Sequence, residues 1–492
     1  MDNISDELFA AARLARYGDG VAIECAGRTL TYRQLAARSE QIASALGGNG
    51  AEPGDRIVMR ASDTEGLVAA ILGAMQAGFV PVILSPRVSD DDLPYIADET
   101  GAVLFVENDP DSVGEVSIKK MPTVPGGGPG KRLPGEAFWL YSSGTTGRMK
   151  GVIHGHQALA PVLSFHRDTL QVGPGSRTFC TSRISFAYAM SNGLLAPLAL
   201  GATVILHADW PSPESTLEMI RTARPDVIFS VPSMYRAWLE LPGDQLEPMA
   251  AAERFVSAGE HLPVPVGDRW RDLCSRNILD CYGCSETCFL TFASTDQAKP
   301  ASVGTPCADV EAVLRDETGA VVGAGGTGSL FIRHPFLALA YGPAAADDAQ
   351  ARFQDGWFAT GDIFRCDDDG YWFHDGREDD WLKVAGQWVS LRRVEEVAAG
   401  FDGVSAAAGV SAKDADGFLR IAVFVVPAGH ADEPTLVGRL QAYLDEALPT
   451  FKRPKWIRTI DVLPQTSTGK VRKVELKGII EEGHGTGEGA AP

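Results

Sequence analysis

Positive charge is in short supply in this chain. Its 44 lysines and arginines face 64 aspartates and glutamates, a formal net charge of −20. A nucleic-acid partner, bound through neutralised phosphates, is therefore not expected. Small polyanions remain open, since they need only a locally positive pocket. Long apolar runs are missing as well. No stretch reaches the roughly 18 residues of a membrane-spanning helix, so no membrane partner is expected. The first segment, MDNISDELFAAARLARYGDG, is acidic and lacks a continuous apolar core, unlike a signal peptide. Cysteines are few, 8 scattered over 492 residues. That density is too low for a disulfide framework and fits a reducing compartment, so the cytoplasm is the expected location.

What is present is a soluble-protein composition, 45% hydrophobic and 22% charged, in a chain too long for one ordinary core. Thr31 to Leu46 reads as a helix capped by Thr31 and stopped by Gly47, with apolar residues at Leu35, Ile42 and Leu46. Asp55–Arg60 reads as a strand, Glu65–Gln76 as a helix ended by Gly78, and Phe79–Leu84 as the next strand. Residues 107–136 are rich in Gly and Pro and read as a surface connection into the strand Phe138–Tyr141. Further units are Ala202–Leu206, a helix over Pro213–Thr222 and the strand Val227–Val231. This alternation implies parallel α/β layers. An acidic, turn-rich stretch near 366–381 marks a boundary at Arg377–Asp380. Beyond it comes a small α+β pattern: a strand over Phe418–Val426, a helix over Pro434–Leu448 and a strand over Trp456–Val462. The expected division is an α/β N-terminal domain over 1–378, a small C-terminal domain over 379–480 and a disordered tail over 481–492.

Four motifs carry chemistry. The first is Tyr141-Ser-Ser-Gly-Thr-Thr-Gly-Arg-Met-Lys150, which follows an apolar strand. Gly144 and Gly147 let backbone N–H groups converge, Ser142, Ser143, Thr145 and Thr146 add hydroxyls, and Lys150 adds a positive charge. Such a loop cradles phosphates, although the Walker spacing is absent. The second is Tyr282-Gly-Cys-Ser-Glu286. Glu286 is a candidate ligand for Mg²⁺, and Tyr282 can stack on a base or pack in the core. The third joins Thr360-Gly-Asp362 to Arg377. A fixed carboxylate at Asp362 can accept from both ribose hydroxyls, and Arg377 can hold a phosphate or ribose. The fourth is Leu463-Pro-Gln-Thr-Ser-Thr-Gly-Lys470, which alone would be a surface lysine.

Together and in this order the four resemble the acyl-adenylate-forming superfamily: acyl-CoA synthetases, stand-alone adenylation domains and beetle luciferases. The resemblance runs from about Thr31 to Val474. It implies a large N-terminal domain with the ATP and acid sites and a mobile C-terminal domain. By that resemblance the loop Ser142–Lys150 binds pyrophosphate, Glu286 holds Mg²⁺, and Asp362 and Arg377 hold the ribose. Asp379 is the hinge. Lys470 touches the carboxylate and α-phosphate, and Ser257, Gly259 and Glu260 flank adenine. Met149 stands where the family has proline, and Ser285 where it has threonine. Gly328-Ser329-Leu330 lacks a usual glutamate. None of these departures removes an essential charge.

Within the superfamily, Phe138–Gly144, Ser185-Phe-Ala-Tyr188, Phe229–Ser233 and Lys383–Ser390 are most similar to benzoate-CoA ligases and related aryl-CoA ligases. That likeness implies an acid pocket lined by Ala187, Tyr188, Gly283, Phe289 and Leu290, and a pantetheine approach along Lys383–Gly386. Those enzymes often carry histidine where Phe289 falls, so a flat apolar acid other than plain benzoate is expected. The implied reaction is ATP-dependent formation of an aryl-AMP, then transfer to coenzyme A. A carrier-protein phosphopantetheine presents the same thiol and stays open as acceptor. A luciferase-type oxygenase and a non-catalytic nucleotide-binding protein are the remaining readings. Presence of both Glu286 and Lys470 weighs against the latter. Cys281, Cys284 and Cys288 have metal-like spacing but are read as small packed residues because no clear fourth ligand follows, and the pair His154 and His156 is read as continuing the strand after the loop, as histidines do in the benzoate-type enzymes it resembles.

Overall fold

The computed structural model describes residues 3–121, 132–143, 149–297, 299–384, 387–414, 418–428, 433–464 and 471–485. By contact density the chain divides into two units. The first comprises Met1–Val313, Phe331–Thr360 and Cys366–Phe373. The second comprises Leu314–Leu330, Gly361–Arg365 and His374–Pro492.

Two sheets organise the first unit. In the seven-stranded one, Glu136–Ser143, Val80–Leu84, Arg56–Arg60 and Leu104–Asn108 run parallel as neighbours. Every residue of Val80–Leu84 is buried, as a parallel strand covered on both faces must be. The nine-stranded sheet has six parallel strands at its centre, in the order Ile278–Tyr282, Arg254–Ser257, Val227–Ser230, Arg177–Cys180, Thr203–Leu206, Val21–Cys25.

Helix Glu65–Gln76 is buried along nearly its whole length. One apolar cluster unites its Leu67, Val68 and Ile71 with Ile57 and Leu140 of the first sheet and Ile23 and Val204 of the second. The helix Tyr32–Gly48 packs on it. Its entry is the expected one: Thr31 accepts from the Gln34 N–H while Gln34 reaches back to Thr31, a capping box. Its exit differs from expectation. Gly47 and Gly48 are helical and the chain turns at Asn49 and Gly50, whose φ is +87°. The Asn49 N–H and side-chain amide both donate to Ala45 O, which carries the helix past the first glycine. Gly73 permits the close crossing, since a Cβ there would lie 2.3 Å from Ser39 O.

The stretch 107–136 is not wholly a surface connection. Val116–Lys120 is a strand pairing antiparallel with Leu104–Asn108. Its Val116 and Ile118 pack on the core, an alternation hidden among glycines and prolines. Residues 122–131 of that stretch lie outside the described residues.

The second unit contains a three-stranded sheet, Val404–Lys413, Leu419–Pro427 and Trp456–Thr459. Ile421, Val423 and Val425 face one apolar cluster with the helices Leu391–Ala399 and Glu433–Ala447. Ala422 and Phe424 face another with helix Lys473–Gly485. This is the period-two alternation of a strand covered on both faces. That last helix runs into the stretch expected to be disordered: 481–485 are helical, and 486–492 lie outside the described residues. Leu476 and Ile480 anchor it to the sheet.

Candidate active site

The strands on either side of the Ser142–Lys150 motif pair with each other. Strands Glu136–Ser143 and Met149–Gly155 are antiparallel, with Ser142 opposite Lys150 and Ser143 opposite Met149. Gly144, Thr145, Thr146 and Gly147 lie outside the described residues, as does the Ser143 side chain. Both strands are tied down beside the loop. Tyr141 donates its hydroxyl to Glu99 Oε2 at 2.6 Å, and the Gly342 N–H donates to Gly151 O at 2.7 Å. Burial pushes the Glu99 carboxyl pKa up, partly offset by the Tyr141 hydrogen bond. At the far end of the first strand, Arg56 makes a buried two-point pair with Glu136, at 2.7 and 3.1 Å.

Glu286 is brought to this hairpin by one phenol. Tyr341 Oη donates to Glu286 Oε1 at 2.6 Å, and Tyr341 sits opposite Val152 on an added edge strand, Ala340–Tyr341. Burial, then the Glu286 charge, raises the Tyr341 pKa far above its ordinary value, so the hydroxyl stays a donor. Glu286 also accepts at its backbone carbonyl from the Ala338 N–H, at 2.8 Å. A single oriented carboxylate suits a Mg²⁺ ion, which keeps waters and takes phosphate oxygens for the rest of its octahedron.

Ser257 and Tyr282 end parallel strands of the nine-stranded sheet, and Ala187, Tyr188, Gly283, Phe289 and Leu290 lie in the segments that follow the strands Arg177–Cys180 and Ile278–Tyr282. Ser257 ends its strand between Ser230 and Asp280, fully buried. Gly259 has φ +88°, a left-handed conformation that admits glycine readily. The Glu260 carboxylate is engaged by Ser233, accepting from its N–H at 3.0 Å and its hydroxyl at 3.1 Å. Tyr282 packs edge-on to Phe292 with centroids 6.0 Å apart. Tyr188 donates its hydroxyl to Val256 O at 3.1 Å. Ala187 and Phe289 share one apolar cluster, and Tyr188 and Leu290 share another. Gly283 lets the Phe289 backbone pass, since a Cβ there would meet Phe289 O at 2.5 Å.

In the second unit, Asp362 and Arg377 are partners on adjacent strands, Trp357–Cys366 and Trp372–Arg377. Arg377 Nη1 lies 3.3 and 3.2 Å from the two Asp362 oxygens. His374 Nε2 lies 3.2 Å from Oδ1, and Arg392 donates to His374 Nδ1 at 3.4 Å. An accepting Nδ1 leaves the proton on Nε2, so His374 donates to Asp362. Asp379 is exposed in the single turn Glu378–Asp380. Lys383 is paired through its backbone with Trp388. The Lys383 side chain, Gly386 and Lys470 lie outside the described residues.

The metal-like spacings resolve into separate environments. Cys281 and Cys288 are buried, and burial pushes the Cys288 thiol up to about 12. His154 is buried against the Phe138 ring, 5.1 Å between centroids, and burial drives its pKa down to about 3. His156 accepts at Nδ1 from the Ile4 N–H at 3.2 Å.

Residues 10–342 match the family model described as AMP-binding enzyme, and residues 393–470 match AMP-binding enzyme C-terminal domain. The chain belongs to the AMP-binding enzyme family. This AMP-binding enzyme is 33% identical to a 3-hydroxybenzoate–CoA ligase of Aromatoleum sp. (strain CIB), covering 98% of this chain and 97% of that one. It is also 33% identical to a benzoate–CoA ligase of Thauera aromatica, covering 96% and 95%. Among solved structures it resembles the anthranilate CoA ligase AuaEII in complex with anthranoyl-AMP, at a TM-score of 0.84, 25% identity and 97% coverage of both chains.

Three residues of the AMP-binding enzyme escaped the sequence reading. Tyr341 and His374 orient Glu286 and Asp362. His334 packs at a tilt against Phe289 with ring centroids 4.8 Å apart, and burial lowers its pKa. Its Nδ1 accepts from the Phe336 N–H at 3.1 Å, which places the proton of the neutral ring on Nε2. None of the three sits in a motif. A histidine at the end of an amphipathic strand, followed by proline, gives no local sign of chemistry.

Proposed function

We propose that this chain is an aryl-CoA ligase. It activates an aromatic carboxylic acid with ATP as the acyl-AMP, releases pyrophosphate, and passes the acyl group to the thiol of coenzyme A. The observation that carries this reading is the Tyr341 hydroxyl joining Glu286 to the strand that leaves the phosphate loop. That contact brings a carboxylate suited to Mg²⁺ beside a loop suited to pyrophosphate. Relatives over the full chain length that are named for 3-hydroxybenzoate and benzoate support the acid class.

In the first step a carboxylate oxygen of the acid attacks the α-phosphorus. The bond from that phosphorus to the β-bridging oxygen breaks, and pyrophosphate leaves. Negative charge grows on the phosphate oxygens. The Ser142–Lys150 loop and Lys470 are the groups that stabilise it. Bound at Glu286, Mg²⁺ supplies further charge neutralisation. Asp362 accepts from the ribose hydroxyls, and His374 and Arg377 hold its carboxylate in place. Ala187, Tyr188, Gly283, Phe289 and Leu290 form the wall against the acid, with Ser257, Gly259, Glu260 and Tyr282 toward adenine.

In the second step the CoA sulfur attacks the acyl carbon, the mixed anhydride bond breaks, AMP departs and the thiol proton passes to solvent. Rotation of the domain over 379–480 about Asp379 then withdraws Lys470, and Lys383–Gly386 line the thiol's approach. The cytoplasm is the proposed compartment, supported by eight cysteines that all remain free thiols.

The test is ATP–pyrophosphate exchange with a panel of aryl and fatty acids, followed by thioester detection with CoA and a phosphopantetheinylated carrier protein offered in parallel. Acid-dependent pyrophosphate release and an aryl-CoA product are expected. Orthophosphate as sole direct product overturns the adenylate, and thioester formed only on the carrier protein overturns CoA as acceptor.

A further inference from the structure

Helix Lys473–Gly485 starts three residues after Lys470, and its first side chain is turned inward. Lys473 Nζ lies 2.7 Å from Asp380 Oδ1 and 2.8 Å from Glu395 Oε1. All three side chains are largely shielded, at 26%, 21% and 20% exposure. Burial opposes the ammonium charge, but the Glu395 and Asp380 carboxylates override it and raise the lysine pKa. The two carboxylates come from different places. Glu395 also accepts from the Gly409 N–H at 2.7 Å, so it belongs to the helix–sheet framework. Asp380 ends the turn Glu378–Asp380 and adjoins Asp379. The Arg472 N–H donates to Pro464 O at 2.8 Å, so the chain on either side of 465–471 is clasped just before Lys473.

We propose that Lys473 is a positioning residue for the adenylation step. It staples the clasped base of the Lys470 segment to Asp380, the first residue beyond the hinge, while Glu395 on the other side serves the fold. An ion pair serving only the fold would be complete with Glu395. The second carboxylate, from the turn where the chain flexes, is what ties the lysine to the hinge. The inference rests on the proposed roles of Lys470 and Asp379.

The experiment measures two single-turnover rates on the full chain with benzoate and 3-hydroxybenzoate as probe acids. One is adenylation from ATP, and the other is thioester formation from supplied acyl-adenylate and CoA. Asp380→Ala and Lys473→Met are expected to slow adenylation about tenfold or more, the scale of a misplaced catalytic group. Thioester formation should change by less than about threefold. Glu395→Gln, which disturbs the sheet side only, should leave the ratio of the two rates at the wild-type value. Lys473→Arg should restore most of it. The same ratio in Asp380→Ala and Glu395→Gln overturns the staple, and that comparison decides the matter even if Lys473→Met does not fold. Lys470→Ala is measured alongside. If it leaves adenylation intact, the underlying assignment of Lys470 fails. If it abolishes adenylation while Asp380→Ala does not disturb it, the staple alone fails.

Discussion

Replacing Tyr341 by Phe removes one oxygen and, with it, the hydrogen bond that ties the Glu286 carboxylate to the edge strand Ala340–Tyr341. The lost bond is 2.6 Å long and ends on a carboxylate. Hydrogen bonds to charged groups contribute about 1.5–3 kcal/mol. Glu286 is only half-buried, so water replaces part of that bond and the low end applies, corresponding to roughly tenfold in rate. The phenyl ring remains, 5.8 Å from Phe353, so the fold should lose about 1.5 kcal/mol, the hydrogen bond alone. The assay is pyrophosphate exchange titrated with Mg²⁺. A misoriented carboxylate should raise the Mg²⁺ concentration needed for half-maximal rate and lower the rate about tenfold at limiting metal, with the KM for the acid little changed. Glu286→Gln should lose about 100-fold or more. A Mg²⁺ titration of Tyr341→Phe that overlays the wild type refutes the argument that this phenol positions the metal ligand.

Lys470→Ala should lose about 10²–10³-fold in adenylation, the scale of one preorganised electrostatic donor, with thioester formation from supplied acyl-adenylate much less affected. Equal losses in both half-reactions would refute the two-conformation scheme. Asp379→Pro, which fixes φ near about −65°, should spare adenylation and slow thioester formation, read by the same two rates. Replacing Phe289 by Ala should reorder the acid panel while the KM for ATP stays near its original value. A change in ATP affinity with no change in acid order would count against Phe289 as a pocket wall. Stability should fall on acidification, because buried His154 and His166 have pKa values pushed down from 6.5 to about 3 and about 4. Below 6.5 the unfolded chain takes up protons that the folded one refuses, so the contribution is present above that pH and is lost as pH falls. His154→Phe should flatten part of that loss in urea titrations at about pH 5 against about pH 7.5, and an unchanged difference would refute it.

Much of the framework was legible because it is local. The capping box at Thr31 and Gln34 needs only residues three apart. The helix Glu65–Gln76 and the buried strand Val80–Leu84 follow from apolar runs bounded by Thr64 and Gly78. The motifs are local too, but Glu286 and Asp362 stood out only in the company of the Ser142–Lys150 and Lys470 segments, in that order along the chain. What a sequence of alternating apolar and polar residues conceals is a strand inside a Gly/Pro-rich stretch, as at Val116–Lys120, or a terminal helix held by two anchors, as at Leu476 and Ile480.

The partners of those site residues were decided only by tertiary structure. Tyr341 is 55 residues from Glu286, and Lys473 is 93 residues from Asp380. His334 meets Phe289 through ring packing, and His374 meets Asp362 across two paired strands. A residue's own chemistry is written in its side chain, so carboxylates, hydroxyls and glycines announce what they can do. Which donor holds each carboxylate depends on the order of strands in a sheet and on how the covering elements pack. Those are set by burial summed over the whole chain, and no short window of sequence contains them.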